Sequence, residues 1–231
     1  MTERTSCSWN THFSLLRELA DVPIVLIGES AVYLWSQHYG LNSKADIGTP
    51  TLQLYANPAD IKAADSRLQH HPHTTTISKI DVDAPLPTHI GSIVVNTMSG
   101  SVTIDFIGRV EGVQLSDIRL QALPYELEGP EKTMLRLMHP MMCLDHWITQ
   151  LAMSHKDKNP HLIRCASISI DIARCYIEQR VDQKDIAVAM EAMQRVLILA
   201  NSDAGQRAWH MHGVDVSAAV PALTLLADNC Q

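Results

Sequence analysis

The apolar run Ile24-Val-Leu-Ile27 stops at Gly28, and from Glu29 onward Ser30, Ala31, Val32 and Leu34 open an amphipathic stretch that reaches Trp35. This pattern predicts a short buried strand, a tight turn and a helix. It commits the start of the chain to a fold in which a strand feeds directly into a helix. A turn of this kind can present backbone N–H groups, and here the Ser30 hydroxyl, to a phosphate at the helix N-terminus, where the helix dipole favours an anion. In many α/β domains the same Gly-x-Ser serves packing alone.

The next elements extend the layout. Thr51-Leu-Gln-Leu-Tyr-Ala56 predicts a strand, followed by Asn57-Pro58-Ala59-Asp60, in which Asn57 suits a helix cap, Pro58 the first helical position and Asp60 the third residue past the cap. Ser92–98 and Ser101–108 predict a hairpin with Ser99-Gly100 as a two-residue turn. In its second strand alternation puts Val102, Ile104 and Phe106 on one face and Thr103, Asp105 and Ile107 on the other. Asp105 is then expected on a strand beside the one that carries Thr51 and Gln53.

With these residues in place, the chain resembles the nucleotidyltransferase superfamily, in its minimal bacterial branch that includes antibiotic-type and abortive-infection toxin transferases. That family pattern is a strand ending in Gly-[Gly/Ser], a helix, a strand with Asp-x-Asp or Asp-x-Glu, and a later strand with a third Asp. The resemblance covers roughly residues 20–110, with a looser likeness around His139-Pro140. It aligns Gly28 and Ser30 with the glycine-serine turn, although Glu29 intervenes, Thr51 and Gln53 with the paired acids, and Asp105 with the third. It implies an α+β fold, a nucleotidyltransferase-like mixed β-sheet with flanking helices followed by a C-terminal helical bundle. It also implies a nucleoside triphosphate near Gly28, Ser30, Thr51 and Gln53, with Asp105 as the one retained acid and holder of at most one cation.

The departures bear on mechanism. Two-metal phosphoryl chemistry uses closely spaced carboxylates to hold two divalent cations and align nucleophile and phosphate. Thr51 and Gln53 offer neutral oxygens, and magnesium, which dehydrates reluctantly, prefers carboxylates plus substrate phosphates. A degenerate site follows. Asp46 in Ser43-Lys-Ala-Asp-Ile-Gly48 reads as a turn residue, and Asp81 and Asp83 form an Asp-x-Asp pair just before Pro85 that reads as a solvated loop. Either set would supply the missing acids if the register were shifted.

Composition narrows the partners. A formal net charge of −7 argues against a broad nucleic-acid surface, which rests on many Lys and Arg contacts to phosphate. Lys156, Lys158 and Arg164 make the best local basic patch. The cysteines, 5 in number, are Cys7, Cys143, Cys165, Cys175 and Cys230. They show no Cys-x-x-Cys spacing, and with no signal peptide or membrane-length apolar run they fit a cytoplasmic protein with reduced thiols. His70-His71-Pro72-His73 and His210-Met-His212 lack metal-ligand spacing and read as polar structural positions.

The pattern changes near residue 124, so the expected domains are 1–124, the α/β part, and 125–231, helical. Glu131 to Met138 and Pro140 to Ser154 read as a helix pair or one kinked helix. Leu162, Ala166, Ile170, Ala173 and Ile177 recur at helical spacing, as do Ile186, Met190, Met193, Leu197 and Ala200, with Asp182 and Asp185 as the start signal of the second. On the Pro140 to Ser154 stretch His146 could face phosphates, while Trp147 suits a packed position. Three functions stay open: a degenerate transferase fold that binds a nucleotide, an RNA end or a protein; an active transferase that recruits Asp46, Asp81 or Asp83; and an interaction module whose cleft is filled by Tyr33, Tyr55 or Trp147.

Overall fold

The computed structural model describes residues 9–41, 51–69, 75–79, 88–97, 100–129, 132–154 and 159–221. In chain order the elements are α1 (Trp9–Glu18), β1 (Val25–Leu26), α2 (Gly28–His38), β2 (Thr51–Tyr55), α3 (Pro58–Leu68), β3 (Thr75–Lys79), β4 (His89–Thr97), β5 (Gly100–Ile107), α4 (Leu115–Gln121), β6 (Leu123–Leu127), β7 (Thr133–Leu137), α5 (Pro140–Met153), α6 (Pro160–Asp182), α7 (Ile186–Asn201) and α8 (Asp203–His212), closed by a 3-10 turn at Val216–Ala219. The chain divides into two compact units. One takes in Met1–Ala31, Ile47–Val110 and Gln114–Met138, and the other Val32–Asp46, Glu111–Val113 and His139–Gln231.

The first unit is built on a mixed sheet in the order β3-β4-β5-β2-β1-β7-β6. β2 runs parallel to β5 and β1 parallel to β7, while the remaining neighbours are antiparallel. The expected alternation holds on β5, and β2 alternates in the same way. Leu52, Leu54, Val102, Ile104 and Phe106 lose all solvent exposure together with Ile93 and Val95 of β4, each such side chain contributing about 1.5–3 kcal/mol of apolar burial. α3 packs near β3, β4 and α1. Its start follows the sequence signal: Asn57 Oδ1 accepts from the N–H groups of Ala59 (2.8 Å) and Asp60 (3.0 Å), and Asp60 Oδ2 accepts from Asn57 N–H at 2.7 Å. This reciprocal capping box is worth about 1 kcal/mol. The buried Asp60 carboxylate also pairs with Arg119 of α4, whose guanidinium lies over the Tyr55 ring.

Two expectations change here. The described part of the stretch expected to be helical, residues 132–138, is not: Thr133–Leu137 is a strand that pairs antiparallel with β6 and parallel with β1. Leu135 and Leu137 are buried while Met134 and Arg136 are exposed, so period-two burial prevails over the helix-forming side chains. The sheet consequently runs to Leu137, past the 124/125 boundary, and Pro140 opens α5 at its first position instead of kinking a longer helix. The hairpin turn also shifts. Thr97 pairs with Gly100, so Gly100 belongs to the strand.

The second unit is helical, as expected. Ala166, Ile170, Ala173 and Ile177 fall on the buried side of α6. On α7 the buried side is Ala189, Ala192, Met193 and Val196, which leaves Met190 and Leu197 exposed. The expected stripe is thus rotated. Asp182 closes α6, and Asp185 precedes α7 without a side-chain cap bond. α8 begins at Ser202, whose hydroxyl accepts from Gly205 N–H, and ends at Gly213 with φ +71°. Half-buried Arg195 donates through Nε (2.9 Å) and Nη2 to Asp145 Oδ2. Among the described residues, no helix is long and apolar enough to cross a membrane, and Cys143, Cys165 and Cys175 form no disulfide.

Candidate functional site

The site begins where β1 turns into α2. Ile27 N–H donates to the Gln53 carbonyl at 2.9 Å, which fixes the end of β1 against the middle of β2. Gly28 then adopts φ +60°, and a Cβ on it would collide with the Gln53 side-chain amide oxygen. Glycine is needed on both counts: for the left-handed backbone and for the close approach of Gln53. Gln53 in turn stands opposite Asp105 in the parallel β2–β5 register, and Asp105 opposite Ser92 in the antiparallel β5–β4 register. Directly opposed residues share a face of the sheet. Gln53, Asp105 and Ser92 therefore form a polar row crossing three strands, with Thr51 two residues along from Gln53.

Asp105 ends in a compact trio of side chains. Ser92 Oγ donates to Asp105 Oδ1 at 2.6 Å, His89 Nε2 lies 3.1 Å from the same oxygen, and Ser92 Oγ and His89 Nε2 are 2.9 Å apart. His89 and Ser92 are three positions apart and would point to opposite faces of a regular strand. The register slips between His89 and Gly91, leaving Ile90 as an extra residue, and this bulge turns His89 onto the face of Asp105. The side chains of His89 and Asp105 remain 30% and 25% exposed, so solvent reaches the trio.

Ser30 takes no part in this row. It is fully buried, and its hydroxyl has no hydrogen-bond partner among the described residues. An unpaired buried hydroxyl costs about 1–3 kcal/mol. Ser30→Ala is therefore expected to raise the stability of the free protein by about 1 kcal/mol in urea unfolding. A loss of stability would mean that the hydroxyl is bonded in solution.

The donor set of the described residues does not suit two magnesium ions. Asp105 is the single carboxylate in the row, one of its oxygens already accepts from Ser92 and faces an imidazole, and Gln53 and Thr51 are neutral. Among the described residues no three His, Cys, Asp or Glu side chains group as a metal site. Asp46, Asp81, Asp83, His70, His71, His73, Lys156, Lys158, Ser99, Cys7 and Cys230 lie outside the described residues.

The other sequence candidates are held locally. Tyr55 donates its hydroxyl to the Leu115 carbonyl at 3.4 Å. In the helical unit His146 Nδ1 is 3.0 Å from the Glu111 carbonyl, which makes it the donor, and burial holds the ring below the usual histidine range. Trp147 is buried beside the rings of His146 and His161, and Arg164 is exposed on α6. His210 and His212 sit in the last turn of α8, where Gly213 follows. The residues of the candidate site that sequence reasoning missed are His89 and Ser92, both brought to Asp105 by strand register and a bulge.

No protein-family model matches the chain, and no curated protein matches it in sequence. Among solved structures it is similar to JHP933 from Helicobacter pylori, at 15% identity and a TM-score of 0.43, covering 99% of this chain and 94% of that one. It is also similar to a "putative nucleotidyltransferase" from H. pylori, at 16% identity and a TM-score of 0.36, covering 92% of this chain and 96% of that one.

Proposed function

We propose that this chain is a nucleotidyltransferase-like protein that binds a nucleotide, or the nucleotide end of an RNA, and has lost metal-dependent transfer. The observation that carries the reading is the register of β2 on β5: it sets Gln53 beside Asp105 and against the Gly28 turn, at the positions the family layout gives to metal-binding acids. The turn supplies a helix N-terminus for a phosphate, while the neutral Gln53 amide, which both donates and accepts hydrogen bonds, replaces a carboxylate that would repel the anion. The placement near abortive-infection toxin transferases rests on the motif layout quoted above. A cytoplasmic setting belongs to the same proposal and rests on the cysteine pattern.

Calorimetric titration with each nucleoside triphosphate, with and without magnesium, tests the reading. Binding of equal strength in both conditions is the expected result. Binding that appears only with magnesium would overturn the proposed loss of transfer and require a second acid near Asp105. No binding of any triphosphate would overturn the nucleotide reading itself.

A further inference from the structure

The trio at Asp105 places a hydrogen on the ring nitrogen that faces it. Ser92 has one hydroxyl hydrogen and gives it to Asp105 Oδ1 at 2.6 Å. Its second contact, to His89 Nε2 at 2.9 Å, then takes its hydrogen from the ring, because a hydroxyl that has already donated can only accept. The third side, Nε2 to Asp105 Oδ1 at 3.1 Å, makes the same demand, since a carboxylate oxygen brings no hydrogen of its own. Both contacts therefore draw on one hydrogen carried by Nε2, shared between Ser92 Oγ and Asp105 Oδ1. In the neutral ring this leaves Nδ1 as an acceptor, and no hydrogen bond reaches either Nδ1 or Asp105 Oδ2 from the described residues.

We infer that His89 Nδ1 and Asp105 Oδ2 form an acceptor-only subsite that recognises a neutral hydrogen-bond donor of the ligand, a sugar hydroxyl or a base amino group. This rests on the nucleotide reading above and adds the orientation of the ligand. A phosphate at this end would face a carboxylate and a nitrogen lone pair with no donor to meet it, so the phosphate belongs at the Gly28 end. The nucleoside lies toward His89. Gln53 and Ser92 stand two strand spacings apart, on the order of 10 Å, a length that suits a nucleoside monophosphate laid along the row. The bulge at Ile90 is what gives the subsite its second acceptor, because without it His89 would leave this face. His89 is on this view a specificity-determining residue.

Two measurements test the inference. The first is the nitrogen-15 NMR spectrum of His89 in the free protein, which is expected to show a protonated Nε2 and a bare Nδ1. The second is calorimetry with three probes: adenosine 5′-monophosphate, its 2′,3′-dideoxy counterpart, and purine riboside 5′-monophosphate, which lacks the amino group. One of the two deletions is expected to weaken binding about tenfold, the scale of one good hydrogen bond, and His89→Phe is expected to abolish that penalty. Which deletion matters tells the sugar hydroxyl from the base amino group. Equal affinity for all three probes overturns the inference, as does a penalty that survives in His89→Phe or a ring protonated at Nδ1. If adenosine 5′-monophosphate does not bind at all, the adenine nucleotide reading falls, and the ring tautomer, read without ligand, decides for or against the acceptor subsite.

Discussion

Gly28→Ala is expected to lower the unfolding free energy by about 2 kcal/mol and to push Gln53 off the β1–α2 turn. Two costs add. The backbone at Gly28 has φ +60°, a left-handed conformation that costs an L-residue with a Cβ roughly 1–2 kcal/mol. The new Cβ also occupies the space of the Gln53 amide. That amide is the end of a flexible side chain, so it moves instead of breaking the turn, and the second cost is on the order of 1 kcal/mol. A double-mutant cycle separates the two. Gly28→Ala in a Gln53→Ala background should retain the backbone cost and lose the collision, and urea unfolding of the four proteins measures both. If Gly28→Ala is neutral in either background, the turn does not have this geometry. On the proposed nucleotide reading, moving the Gln53 amide away from the turn should weaken nucleotide binding as well.

Acid is expected to destabilise the protein through His139, by about 3 kcal/mol between pH 6.5 and pH 4. His139 caps α5: its Nδ1 accepts from Met141 N–H at 3.1 Å, and Nε2 lies 3.0 Å from the Tyr176 hydroxyl. Both contacts suit a neutral ring with its proton on Nε2. Burial, with the charges of Arg195 and Arg180 added, holds the pKa down to about 4 from 6.5. In that window the unfolded chain binds a proton that the folded chain refuses, so stability rises with pH from about 4 to 6.5 and is fully present above it. His146, lowered by burial, acts in the same direction, whereas Asp145, raised by burial against the pull of Arg195, opposes it at the acid end. His139→Asn keeps a capping side chain without a titrating ring. Urea midpoints across this pH range should fall steeply for the parent protein and much less for the variant; parallel curves would exclude His139 as the source.

Where local chemistry decides the structure, the sequence was readable. Asn57-Pro58-Ala59-Asp60 specifies its helix start within four residues, and the alternation in Val102 to Ile107 specifies which side chains are buried. Thr133 to Leu137 was harder, because Met, Leu and Arg form helices readily while their period-two burial follows from pairing with β1, a strand more than a hundred residues earlier. Half of the candidate site was hidden for a related reason. Placing the turn at Ser99-Gly100 sets Asp105 opposite Val94, whereas the observed pairing of Thr97 with Gly100 sets it opposite Ser92. The bulge that recruits His89 has its marker in Gly91, since a glycine inside a strand suggests a bulge, but it lies just before the Ser92 at which the hairpin was expected to start. Gly28, Gln53 and Asp105 could be found from motif spacing, but their partners depend on strand register, which a one-residue error at the turn displaces.

At its β6 border the sheet has an outermost strand that carries Pro124, while Glu126 points outward and pairs with Lys132 at 2.9 Å. A proline has no N–H to offer an incoming strand, and an ion pair at the rim must lose water before any chain can lie against it. That border therefore resists growth: a loose peptide or a neighbouring copy finds an incomplete ladder there. A chain at high concentration can in this way expose a strand without readily seeding fibres from it.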